Sequence, residues 1–66
     1  MSDGRPAPTK LLLTPEEAAA VLSITRTRVY ELMRRGRLRS VKIGKARRVA
    51  VAALEAFVAE LQEEAG

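Results

Sequence analysis

The sequence predicts a small, mostly α-helical domain with one β-hairpin, ordered helix, helix, hairpin, helix. Three observations predict it. A dense helix-start signal stands at "LTPEEAAAVL", the apolar period drops from three or four residues to two after Leu38, and helical spacing returns at Leu54, Phe57, Val58 and Leu61. With 66 residues the chain forms one domain, which buries about 60% of the surface its unfolded form would expose.

In the first helix Thr14 is the N-cap, Pro15 takes the first helical position, and Glu17 completes a capping box three residues after the cap. Leu13 can staple against Ala18, and the helix ends near Leu22. Its alanines allow another helix to come close. After "SIT", Thr25 caps a second helix that runs to about Arg35, where Val29, Leu32 and Met33 form one apolar stripe. Gly36 follows where a left-handed terminating residue is wanted. Two short helices joined by three or four residues have the outline of a helix-turn-helix.

Val41 and Ile43 then alternate with Ser40 and Lys42, "GKAR" supplies a glycine-led turn, and Val49 and Val51 share a face of the returning strand. The third helix is expected from about Ala52 to Glu64, with Leu54, Phe57, Val58 and Leu61 as its apolar face. It has no Ser, Thr, Asp or Asn to cap its start. The apolar residues of all these elements can share one core, with Phe57 its largest member. Residues 1 to 10, "MSDGRPAPTK", have no apolar period and read as a disordered arm, so the folded domain is expected over residues 11 to 64.

Composition narrows the chemistry. The chain has no cysteine and no histidine, so the usual zinc ligands are missing, and neither a metal nor another cofactor is expected. No apolar run approaches the ~20 residues of a membrane span and no signal peptide is evident, which predicts a soluble, cytoplasmic protein without a membrane partner. The acids form no paired constellation, so general acid-base or nucleophilic catalysis has no candidates and the chain is not expected to be an enzyme.

The net charge of +4 is unevenly spread. Between Arg26 and Arg48 there are ten bases and one acid, Glu31, while the rest of the chain is net acidic. Such a one-sided field attracts a polyanion. Nine of the twelve bases are arginine, whose planar fork fits phosphate or the guanine edge bidentately. At 100° per residue, Thr27, Glu31 and Arg34 fall opposite the apolar stripe of the second helix, with Tyr30 and Arg35 on its flanks.

Double-stranded DNA is the expected partner, with the second helix entering the major groove N-terminal end first. Arg26 and Thr27 are the candidate base readers, Tyr30, Arg34 and Arg35 the phosphate contacts, and Thr25 and Arg28 complete the helix surface. Glu31 is expected to pair with Arg28, Arg34 or Arg35 one turn away. On the hairpin, Lys42, Lys45, Arg47 and Arg48 form a cationic tip for a phosphate strand or a minor groove. With Tyr30 and Phe57 the only aromatics, base stacking on single-stranded RNA has little to work with. The acidic end of the last helix, Glu60 to Glu64, reads as a solvated helix end or as a docking surface for a protein partner or a second copy.

The stretch "LLTPEEAAAVLSITRTRVYELMRRGRLRSVKIG", with "RRV" and the later "LEAF", resembles the excisionase-like, MerR-related winged helix-turn-helix proteins over roughly residues 11 to 61. The matching positions include Thr14, Glu17, Ala18, Ala19, Leu22, Val29, Tyr30, Leu32, Gly36, Leu38, Ile43, Gly44, Arg48, Val49, Leu54 and Phe57. The resemblance implies a recognition role for the second helix and a wing over Lys42 to Arg48. It further implies a recombination directionality factor that binds repeated sites beside an attachment site, where copies can associate cooperatively on DNA, bends the DNA and assists an integrase in excision. A small transcriptional regulator on the same domain is the alternative. Three positions depart from the family pattern: Ser23 stands where a turn glycine is common, Arg28 where a small hydroxyl residue is usual, and Val51 where an N-cap would help.

Overall fold

Thr14 starts α1 (Pro15–Leu22) as the sequence predicts. The Glu17 N–H donates to Thr14 Oγ1 at 3.0 Å, and Glu17 Oε1 accepts from the Thr14 N–H at 2.9 Å, so two backbone donors are satisfied reciprocally. The computed structural model describes residues 10–66; the arm expected over residues 1 to 10 lies, apart from Lys10, outside the described residues. Leu13 and Ala18 both belong to the core, as the staple requires.

The two short helices end in the same way with different residues. After α1, the Ile24 N–H reaches Ala19 O and the Ser23 N–H reaches Ala20 O, with Ser23 left-handed at φ 60°. After α2 (Arg26–Arg34), the Arg37 N–H reaches Leu32 O and the Gly36 N–H reaches Met33 O, with Gly36 at φ 76°. Both are Schellman closures, which satisfy terminal carbonyls through one left-handed residue. Glycine adopts that conformation without the steric strain that Ser23 carries.

The remaining elements are β1 (Leu12–Leu13), β2 (Val41–Ile43), β3 (Ala46–Ala50) and α3 (Val51–Ala65). The expected hairpin is β2 with β3, paired antiparallel with Lys42 opposite Arg47 and Ile43 opposite Ala46. Gly44 and Lys45 are left as a two-residue turn, and Gly44 takes φ 62°. The sheet has one strand more than the sequence suggested: β1 pairs with the other edge of β3, giving the order β1-β3-β2.

That extra strand bears on the uncapped third helix. No side chain caps α3 at Ala50; instead the Val51 N–H donates to Leu11 O at 2.9 Å. Val51, expected on the strand, is therefore the first residue of the helix. β3 passes into α3 with no intervening loop.

Leu13, Ala18, Ala19, Val29, Leu38, Val49, Leu54 and Phe57 form the core, and Leu38, Val29 and Val49 are its largest fully buried side chains. Burying each contributes about 1.5–3 kcal/mol. Two expectations need correction. Val41 and Ile43 alternate as predicted but are 45% and 56% exposed, because they pair with Arg48 and Ala46 and so lie on the face of the sheet opposite buried Val49. Val58 and Leu61 continue the α3 stripe in sequence, yet every residue from Val58 onward is exposed, and these two line open grooves beside α1 and α2 instead of a closed core.

Candidate nucleic-acid interface

Thr25 and Val29 set the pose of α2. Thr25 Oγ1 accepts from the Arg28 N–H at 3.1 Å, so a hydroxyl expected at the DNA surface already serves as the helix cap. Val29 is fully buried against the core, which turns the polar side of the helix outward. Thr27, Arg28, Arg34 and Arg35 are exposed there, with Tyr30 half-buried.

The arginines of the first turn are held by acids. The Arg26 Nε donates to Glu16 Oε2 on α1, and its guanidinium lies over the Tyr30 ring, 4.8 Å from the centroid. Glu16 is held below the usual carboxylate range, first by a backbone hydrogen bond at the start of α1 and then by Arg26. The same hydrogen bond raises the Arg26 pKa. Glu31 pairs with Arg28 at 3.0 Å, one of the three partners expected for it. Glu17 is likewise depressed, chiefly by its hydrogen bond from Lys10 and then by the Thr14 N–H.

The hairpin brings cations to the side of α2. Strand alternation puts Arg47 on the face of β3 that buries Val49, and Arg47 lines a shallow groove of about 300 Å³ with Tyr30, Met33 and Arg34. Its guanidinium donates to Ser40 Oγ at 3.0 Å. Lys42 is its cross-strand partner and shares its face. Like charges placed directly opposite in a ladder are destabilising, so this pairing favours an anion between or above them.

Arg48 falls on the opposite face of the sheet, half-buried, and donates to the Arg47 carbonyl at 3.0 Å. Lys45 is exposed at the turn. The structure thus brings Tyr30, Arg34, Lys42 and Arg47 together and sets Arg48 apart. Sequence reasoning missed Glu16, whose partner lies ten residues away, and Ser40, which steadies Arg47.

The profile of a family described as a helix-turn-helix domain matches residues 12–62, from β1 through most of α3. The chain belongs to that family. This helix-turn-helix chain is 42% identical over 57 residues to a protein named "Probable excisionase" in Saccharopolyspora erythraea, an alignment that covers 86% of this chain and 58% of that protein. It is also 44% identical over 54 residues to an "Excisionase" of Streptomyces ambofaciens, covering 82% of this chain and 87% of the relative. No solved structure matches. Among the described residues no helix is long and apolar enough to cross a membrane.

Proposed function

We propose that the chain is an excisionase: a double-stranded DNA-binding architectural protein, without catalysis of its own, that binds attachment-site DNA and assists an integrase in excision. The observation that carries the DNA-binding part is the convergence of Lys42 and Arg47 with Arg34 and Tyr30 on one face. Helix and hairpin can then grip neighbouring parts of one duplex, α2 in the major groove and the wing along a phosphate strand or the minor groove. The two excisionase relatives support excision over transcriptional regulation.

In this reading Arg26 and Thr27 read bases, Arg34, Arg35, Lys42, Lys45 and Arg47 contact phosphates, and Arg48 backs the wing from its other face. Neutralising roughly five to eight phosphates gives a log K against log salt slope of about −4.5 to −7. A module of this size buries about 600–1,000 Å² on DNA, so cooperative binding of several copies would add the specificity one copy lacks.

The test is in vitro recombination with the integrase and attachment sites of the same mobile element. Adding the protein is expected to raise the ratio of excision to integration. An unchanged ratio, with the protein bound to the DNA, overturns the excisionase reading and leaves the regulator.

A further inference from the structure

Glu16 stands outside the expected DNA-contacting residues, yet it touches one of them. It sits in the first turn of α1, across the helix-turn-helix from the first turn of α2, and accepts from Arg26 Nε. Arg26 Nη2 lies 3.5 Å from the Tyr30 hydroxyl, with the guanidinium stacked on the ring. A pair whose side chains are 60% and 57% exposed contributes little to folding stability. An acid at this edge also repels phosphate. Neither affinity for DNA nor the fold gains from it, but the orientation of Arg26 does.

A guanidinium can meet O6 and N7 of guanine side-on through Nε and Nη2, or end-on through Nη1 and Nη2. Glu16 occupies the Nε donor, which removes the side-on fork; Nη2 keeps a second N–H beside its long contact with Tyr30, so Nη1 and Nη2 together can still meet a guanine end-on. Tyr30 fixes the plane of the group from beneath. Two side chains, one from each helix, therefore define one orientation for an arginine that would otherwise sample many rotamers.

We propose that Glu16 is a positioning residue for sequence discrimination: through Arg26 Nε it presets the Arg26 guanidinium to read a guanine end-on, and its charge opposes binding where that guanine is absent. The inference rests on the DNA-reading role proposed for α2. Glu16 itself touches no base.

The test uses the full chain and two probes: a duplex selected by the wild-type protein from a random-sequence library, and a scrambled duplex of the same composition. Glu16→Ala is expected to lower the ratio of selected to scrambled affinity about tenfold, the size of one good bidentate contact, while affinity for the scrambled duplex rises. Glu16→Gln, which retains an acceptor for Nε, should recover part of the ratio. In an Arg26→Ala background the Glu16→Ala effect on the ratio should vanish. If wild type enriches a sequence and Glu16→Ala strengthens binding to both probes equally, Glu16 is only a repulsive charge and the positioning role is wrong. If wild type enriches no sequence, the DNA-reading role of α2 fails and the inference falls with it.

Discussion

The two edges of β3 are built differently. On one edge β1 brings Leu13 into the core and Leu11 O to the start of α3, so strand, first helix and last helix interlock. On the other, β2 pairs with β3 through its ladder but leaves Val41, Lys42 and Ile43 exposed. The first edge holds the domain together; the second holds charge in position. In a domain this small, the separation lets the wing change its contacts without dismantling the core.

The sharpest attack on the core side is Phe57→Ala. Phe57 is 6% exposed, and its truncation is expected to cost about 3–5 kcal/mol in chemical denaturation, most of the stability a small domain has. A loss below about 1 kcal/mol would mean that the core is not centred beneath α3. On the wing side Lys42→Ala should lower affinity for any duplex several-fold and flatten the salt slope by about 1, while the thermal midpoint stays level or rises as the Lys42–Arg47 repulsion is relieved. A drop in midpoint would show that the wing carries stability as well as charge.

Gly44→Ala tests the turn between those regimes. Nothing lies within 4 Å of the added carbon, so the expected cost, about 1 kcal/mol by denaturation, comes from the φ of 62° alone. The smallest effect belongs to Ile43→Thr. At 56% exposure it should change stability by less than about 0.5 kcal/mol, and a larger loss would reveal a cover over β2 in solution.

What the sequence disclosed was whatever is encoded locally. The cap at Thr14, the glycine at Gly36, the stripe through Val29 and the turn at Gly44 each depend on residues within a few positions, and each stands where the spacing puts it. β1 was invisible because two residues are too few to show an alternation. The exposure of Val41, Ile43, Val58 and Leu61 was equally hidden, since periodicity says which residues share a face but not whether anything covers it. In the candidate site, the helix cations were legible from charge and projection, whereas the Glu16–Arg26 contact and the approach of Arg47 to Tyr30 and Arg34 depend on how separate elements meet.

The direct passage from Ala50 to Val51 also limits where this chain can change length. One residue inserted there would rotate α3 by about 100° relative to the sheet and carry Leu54 and Phe57 out of the core. Residues added between Gly44 and Lys45 would instead extend the hairpin tip into solvent. Variation in reach along DNA is therefore open to insertion at the wing tip, while the strand-to-helix junction is closed to it.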